Sequence, residues 1–524
     1  MAEHSAGAPA QPAWAKVIDQ TRCIGCHACT TACKSENVVP VGVTRTYVKH
    51  VDVGTWPQAR RAHQVTRCNQ CAHAPCVAAC PTSAMFQRAD GIVDFDKSVC
   101  IGCKACMAAC PYDAIFINPE DHSAEKCNFC AHRIDVGLEP ACVVVCPVEA
   151  LLVGDLNDPG SRVAEIVNRQ PVNVRRPEKE TLPKVFYRGA HQATLDPLAA
   201  RRPEGGLFMW SEQKLDHETV TSGNPSFNNT SAAALLSYDV PHSLPWDWRV
   251  SLYTWTKSIA AGVYLVAAAL VVLGYHSPRA GSGALVSYPD FHESPLWLWA
   301  APVLSGAFLA FTGGLLIWDL EHPARFLLIF TRPQWRSWLV RGAFVIAGYS
   351  LVLALHFAAS LAGEDGPQPW LSLAGIPLAA LTAVYTAYLF AQAKARDLWQ
   401  NPLLPPHLFA QAVLAGAGAL LPLAAWLDPL VVRPLLWTLA ASCLVHLLMV
   451  WGEVTLTHPT AHARLAVREM TRGRYRLFFW AAVLLTAAGL FAPGLGVAAA
   501  PLALAGLLCH EHAYVQAGQS VPLA

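Results

Sequence analysis

Sixteen of the eighteen cysteines fall between Cys23 and Cys146, in four groups of four. Cys23, Cys26, Cys29 and Cys33 have the spacing C-x2-C-x2-C-x3-C, and "CIGCKACMAACP" repeats it with Cys100, Cys103, Cys106 and Cys110. Cys68, Cys71, Cys76 and Cys80 widen one gap to four residues, and Cys127, Cys130, Cys142 and Cys146 open it to eleven. A C-x2-C-x2-C turn can wrap three thiolates around three irons of one cubane, while the fourth cysteine, on the following helix, points toward a second cluster. The groups must therefore pair. Proline follows the last cysteine of three groups, at Pro81, Pro111 and Pro147, as in the bacterial ferredoxin run; Lys34 breaks this in the first group without removing a ligand. Zinc also takes four cysteines, but usually as two C-x2-C halves joined by a longer spacer. The spacing favours four [4Fe-4S] clusters, a series that carries electrons between two sites and is not itself a catalyst.

A second set of reactive side chains lies in the apolar half. From Trp248 onward, eight stretches of membrane-crossing length can be marked, at about 251–275, 296–319, 337–362, 370–392, 406–427, 432–455, 476–493 and 495–515. Titratable groups inside such spans are costly in lipid and point to function. Lys257 opens the first span, Asp319 closes the second and Arg341 begins the third. Gln392 and Lys394 end the fourth, His407 and Gln411 begin the fifth, and Glu453 ends the sixth. His510, Glu511 and His512 end the eighth. Because successive spans alternate in direction, all of these lie toward the side of the cysteine-rich half. His356 sits in the far half, and His446 nearer mid-membrane. Snorkelling at helix ends accounts equally well for Lys257, Arg341 and Lys394, but it does not account for the acids Asp319, Glu453 and Glu511. Cys509 and His512, three apart on a helix, share a face; two ligands do not make a metal site, and His510 points elsewhere. Bis-histidine haem needs ligands at matched depth, which His356 and His446 do not offer, so no haem is expected.

The elements that must hold these groups follow from composition. A chain of 524 residues with 53% hydrophobic and 14% charged content is too long for one domain and too apolar to be wholly soluble. Net charge is +1, which gives no sign of nucleic-acid binding. The first residues, "MAEHSAGAPAQPAWAKVID", show no basic segment followed by an apolar one and no twin arginine, so no export signal is expected. A disulfide framework is then a poor reading of the cysteines. Residues 151 to about 248 are rich in Pro, Asn, Ser and charge. "RRPEKETLPKVFYRG" has strand-like spots and "NPSFNNTSAA" reads as loop; the stretch is expected to be a tail of the cluster domain and a linker. Loops on the cluster side carry Arg325, Arg332, Arg336, Lys394, Arg396, Arg464, Arg468, Arg472, Arg474 and Arg476, against Arg279 and Arg433 opposite. The positive-inside rule then places the cluster domain in the cytoplasm, with a periplasmic placement as the alternative. The expected fold is an α+β ferredoxin-like domain with two pseudo-symmetric double-cluster modules over residues 1–190. An extended linker covers 191–248, and an all-α bundle of eight transmembrane helices covers 249–524.

On these motifs, residues from about 15 to 190 resemble the four-cluster electron-transfer subunits of molybdopterin oxidoreductases of the DMSO reductase superfamily. The resemblance implies that the outer groups pair with each other, as do the inner ones, with the fourth cysteine exchanged. The clusters would be Cys23, Cys26, Cys29 with Cys146; Cys127, Cys130, Cys142 with Cys33; Cys68, Cys71, Cys76 with Cys110; and Cys100, Cys103, Cys106 with Cys80. The membrane half resembles NrfD-like, or polysulfide-reductase, membrane subunits. It does so through "WDLEHPARF" (318–326), "RPQWRSWLVRGA" (332–343), "AQAKARDLW" (391–399), "WGEVTLTHPTAHA" (451–463) and "EHAYVQAGQSVPL". Such subunits have eight helices, bind a quinone near the cluster side and carry no haem. Where relatives often have Gly-Arg, this chain has Glu321-His322, with Asp319, Pro323 and Arg325 in register.

Quinone chemistry moves two electrons and two protons and needs ionisable donors beside the electron path. Lys257, Asp319, His322, Arg325, Arg341, Glu453, His510 and Glu511 are the candidates for a quinone and proton site. Interfacial anchoring stands as the other reading of His510 and His512. The resemblance implies an electron-transfer and membrane-anchor subunit in a bacterial inner membrane. It would link a partner subunit carrying a molybdenum or tungsten bis-pterin to menaquinone or ubiquinone in anaerobic respiration. Substrate chemistry would belong to the partner. Two alternatives are a redox-driven proton translocator and a self-standing ferredoxin:quinone reductase.

Overall fold

The computed structural model describes residues 11–201, 233–272, 294–363 and 368–524. Arg279 and residues 224–232 of the expected loop lie outside them.

In the cysteine-rich half, β1 (Trp14–Asp19) runs through a four-stranded sheet ordered β8-β1-β10-β9, with β8 at Leu151–Asp155, β9 at Val172–Asn173 and β10 at Val185–Arg188. β1 is parallel to β10 and antiparallel to β8. A second sheet, ordered β11-β2-β3, joins β2 (Thr46–Val53) and β3 (Arg60–Arg67), with Thr46 opposite Arg67 and Val53 opposite Arg60. Its third strand, β11 (Ala234–Tyr238), comes from the stretch expected to be linker, so part of that stretch completes a sheet. Two small hairpins, β4-β5 (Met85–Gln87, Val93–Phe95) and β6-β7 (Ile115–Ile117, Ala124–Lys126), follow the second and third cysteine groups.

The two pseudo-symmetric modules are visible in the backbone. Gly25 and Gly102 hold the same place in "CIGC" and both have φ +68°, where a β-carbon is disfavoured. The N-caps that follow, His27 and Lys104, are both left-handed, and short helices Ala28–Glu36 and Ala105–Ala109 start there. In the other two groups Gln70 and Phe129 correspond, again at positive φ.

Eight apolar helices build the membrane half: α1 (Trp248–Val272), α2 (Ala301–Trp318), α3 (Trp338–Ala362), α4 (Gln368–Gln392), α5 (Leu404–Leu427), α6 (Val432–Thr455), α7 (Arg476–Gly489) and α8 (Ala499–Gln519). Among the described residues, seven are long and apolar enough to cross a membrane, with the π-helical turn Leu296–Ala300 counted with α2. The exception, α7, has 14 residues and rises about 21 Å, less than the ~30 Å hydrocarbon core. α1 is the buried axis of the bundle, whereas α3 turns most of its surface outward. α1 meets α5 at Gly262 and Gly416: a β-carbon on Gly262 would overlap the Ala412 carbonyl, and one on Gly416 the Gly262 backbone. Small residues bring membrane helices this close, which dispersion then rewards.

The two halves are stitched together by hydrogen bonds to main-chain carbonyls. Glu321 and His322 N–H groups donate to the Gly102 and Ile101 carbonyls at 3.4 and 3.2 Å. Arg325 Nη1 donates to the Lys97 and Cys100 carbonyls, each at 2.9 Å. Gln334 N–H reaches the Pro81 carbonyl at 2.9 Å, and Ser337 Oγ that of Ala79 at 2.9 Å. Residues after α8 lie under the cluster half, where Arg175 donates to the Leu523 carbonyl at 3.1 Å and Lys49 to Ala524 at 3.0 Å.

Candidate functional site

None of the eighteen cysteines is in a disulfide, and the sixteen form groups whose members come from distant parts of the chain. Cys23, Cys26, Cys29 and Cys146 line one cavity; Cys80, Cys100, Cys103 and Cys106 line another. Cys33 lies within electrostatic reach of Cys127 and Cys142, and Cys110 within reach of Cys68, Cys71 and Cys76. Main-chain N–H groups point at the sulfurs: Met85 at Cys80 (3.3 Å), Ala124 at Cys100 (3.4 Å) and Ala150 at Cys146 (3.2 Å). Side chains add positive charge, with Arg67 Nη1 3.1 Å and Lys16 Nζ 3.6 Å from Cys142 Sγ. Burial raises the Cys142 thiol, but these two cations outweigh it and bring the value down to about 7. A convergent set of cysteine sulfurs met by N–H donors and cations suits anionic thiolates holding a polynuclear iron centre. Cys26 is exposed at one end of this series. Cys103 lies at the other, against the membrane half.

Beside Cys103 opens an apolar cavity of about 210 Å³. Its wall includes Cys103, Trp246, Tyr253, Asp319, Phe330 and Tyr385, so α1, the end of α2 and α4 all contribute. Trp246 Nε1 donates to the Cys103 carbonyl at 3.2 Å. Asp319 is the C-cap of α2; its Oδ1 is buried without a hydrogen-bond partner, 3.6 Å from both Lys104 Nζ and Arg249 Nη2. A second, more polar cavity of about 480 Å³ shares Trp246 in its wall and is lined also by Lys104, Asp247, Arg249, Glu321, Arg474 and His512. The arrangement places a redox-bearing cysteine, an apolar slot and an acidic group at one point, next to a polar vestibule.

The other expected site residues divide. Lys257 is buried in α1, donates to the Ala383 carbonyl at 2.6 Å and interacts electrostatically with Glu511 of α8, whose Oε1 is buried without a hydrogen bond. Glu453 accepts from Asn401. His322 meets Ser123 Oγ of the cluster half at 3.2 Å, and Arg325 is a clamp on the Cys100 turn; neither lines the apolar cavity. Arg341 is exposed, donates to the Trp335 carbonyl at 2.8 Å and lies over the Trp338 ring, so the structure keeps it out of the site. Its span faces outward there, which the snorkelling reading explains. His510 faces His407 and His446 in the bundle interior, away from Cys509 and His512. His356 sits elsewhere, with Tyr264 and Trp297.

Sequence reasoning missed Lys104, Trp246, Arg249 and Tyr253, because nothing in their spacing shows that the Cys100 turn docks on α2. It also missed the meeting of three histidines. His446 and His510 each lie nine residues before the end of their helices, Thr455 and Gln519, and that shared depth was a signal.

Fold and site together define a multi-pass membrane protein with an iron–sulfur electron-transfer domain on the same chain. The polysulphide reductase NrfD model matches residues 238–521, more than half the chain, and the protein belongs to that family. Models of a 4Fe-4S dicluster domain and a 4Fe-4S binding domain match residues 62–156 and 14–35. The cysteine-rich half is 44% identical to a tetrathionate reductase subunit of Salmonella typhimurium over 207 residues, 38% of this chain and 80% of that one. It is 40% identical to a polysulfide reductase polypeptide of Wolinella succinogenes, over 32% of this chain and 91% of that one. Protein NrfC of Escherichia coli K12 is 41% identical, over 32% and 78%. This chain is thus similar to a reductase iron–sulfur subunit fused to an NrfD-type membrane domain.

Proposed function

We propose that the protein passes electrons between a molybdenum- or tungsten-bis-pterin catalytic partner and a membrane quinone, menaquinone or ubiquinone. The observation that carries this reading is the apolar cavity sharing Cys103 and Asp319. Four [4Fe-4S] clusters supply one-electron steps. Their ligand sets would be Cys23, Cys26, Cys29, Cys146; Cys33, Cys127, Cys130, Cys142; Cys68, Cys71, Cys76, Cys110; and Cys80, Cys100, Cys103, Cys106. Domains of 1–190 and 249–524 with a connecting 191–248 accommodate this path, and a cytoplasmic cluster domain in a bacterial inner membrane accommodates the loop charges.

The chain's own residues do the rest. The slot takes an apolar ring and excludes bulk water. Asp319 exchanges protons with the ring oxygens, since quinone plus two electrons and two protons gives quinol. Lys104 and Arg249 hold its carboxylate in place after each transfer, and both also line the neighbouring polar cavity. Relatives named for tetrathionate, polysulfide, dimethyl sulfoxide and arsenate reduction support a sulfur or oxyanion substrate at the partner's site. The test is EPR of the purified full chain with menaquinol and ubiquinol analogues. Reduction of the clusters by one of them is expected; clusters that reduce with dithionite yet ignore every quinol overturn the reading.

Redox-driven proton translocation is the second reading, drawn from the buried pair Lys257 and Glu511 inside the bundle. In proteoliposomes it requires an internal pH change with quinone turnover.

A further inference from the structure

Three helices that hold the acidic end of the bundle meet at a group of imidazoles with no part in the electron path. His407 of α5, His446 of α6 and His510 of α8 are 4%, 1% and 3% exposed, and one nitrogen from each lies within 4.8 Å of the others. Ring centroids stand 4.7 to 5.3 Å apart. His407 Nε2 and His446 Nδ1 are 2.9 Å apart, and Gln411, one turn after His407, brings its Nε2 to 3.4 Å from His407 Nε2.

Hydrogen bonding does not close this group. A neutral imidazole has one N–H and one lone pair. The single bond between His407 and His446 uses one proton, while His510 Nδ1 and Gln411 Oε1 are buried with no partner. An extra proton would satisfy one nitrogen pair and leave the third ring unmet. A cation accepting one lone pair from each engages all three rings at once. Tetrahedral zinc bonds imidazole at about 2.0–2.1 Å, which sets its nitrogens about 3.3 Å apart. The shortest pair, 2.9 Å, has to open by a few tenths of an ångström to match, and the wider spacings, within 4.8 Å, have to close toward that distance by side-chain rotation.

We propose that His407, His446 and His510 bind a zinc ion, with Gln411 Oε1 or a water in the fourth position. Three neutral imidazoles without a thiolate suit a borderline divalent ion, and zinc adds no redox chemistry beside the electron path. The ion ties α5, α6 and α8 at a single point. Glu453 and Glu511 stand on two of those helices, seven residues beyond His446 and next to His510. The site is a positioning device for them and stands independently of whether a quinone binds at Cys103.

The experiment is metal analysis of the full chain purified in detergent, beside His446→Gln and His510→Gln. About sixteen iron atoms per chain report intact clusters and serve as the folding control. One zinc per chain is expected in the parent and less than a tenth of that in either variant, with iron unchanged. Zinc-edge X-ray absorption of the parent should show a nitrogen shell at about 2.0–2.1 Å with imidazole outer-shell scattering. If His446→Gln loses iron as well, His510→Gln and the absorption spectrum decide. A parent with no zinc after expression in zinc-supplemented medium, or zinc retained in His510→Gln, overturns the site.

Discussion

Arg67 and Cys142 are joined by a buried hydrogen bond, Nη1 to Sγ at 3.1 Å. Arg67 comes from the end of β3 and Cys142 from the fourth cysteine group, so the pair ties the second sheet to a cluster thiolate. A cation bonded to a ligand sulfur stabilises the more negative, reduced state and raises the potential. Arg67→Met should lower one cluster potential. A charge-assisted bond of about 1.5–3 kcal/mol corresponds to a shift on the order of 100 mV for one electron. EPR-monitored redox titration checks it; four unchanged potentials would show that Arg67 serves packing alone.

Asp319 should separate electron transfer from proton transfer. Asp319→Asn keeps the size of the side chain that walls the cavity but removes its acid function. Quinol oxidation is expected to fall about 100-fold, the usual scale for a lost general acid or base. Reduction of the clusters by dithionite should be unaffected. A variant with full quinol turnover places the proton donor elsewhere.

The α1–α5 crossing tolerates no added atom. Gly262→Ala should destabilise the membrane half by about 3 kcal/mol, since the new methyl has only backbone to displace. Thermal unfolding in detergent tests this, with Gly306→Ala, which faces open space, as the neutral comparison.

His242 makes stability depend on pH. Burial lowers its affinity for a proton, but the Asp239 and Asp113 carboxylates overcome that and raise the value to about 10; Asp113 lies 2.6 Å away. A group raised from 6.5 stabilises the fold fully below about pH 6.5 and loses that contribution as pH climbs toward 10. Melting temperature should therefore decline between about pH 7 and 10, and His242→Asn should flatten this decline. Parallel curves for both proteins would remove His242 as the cause.

The parts of this molecule set by local chemistry were legible in its sequence. Cysteine spacing determined the turn at Gly25 and Gly102, and apolar length located eight helices to within a few residues. What spacing does not carry is which surfaces meet. Lys104 sits between two cysteines of the CIGCKAC run and drew no assignment from it, yet it faces Asp319, 215 residues later, because the Cys100 turn docks on α2. The strand-like spots of "RRPEKETLPKVFYRG" do contain β10, but its place beside β1 is a long-range pairing that no local pattern encodes. The sequence offered snorkelling for Arg341 and not for Asp319, while keeping both as site candidates. Only packing shows that one faces outward and the other inward.

The main-chain bonds from Glu321 and His322 to Gly102 and Ile101 have a consequence for how current leaves the relay. Where donor and acceptor are separate polypeptides, dilution uncouples them, and the hop across their boundary varies with each encounter. Here the last sulfur-bearing turn is hydrogen-bonded, like one strand to another, to the loop that ends α2. Transfer across that one junction should then be indifferent to protein concentration, even though exchange with a separate catalytic partner is not.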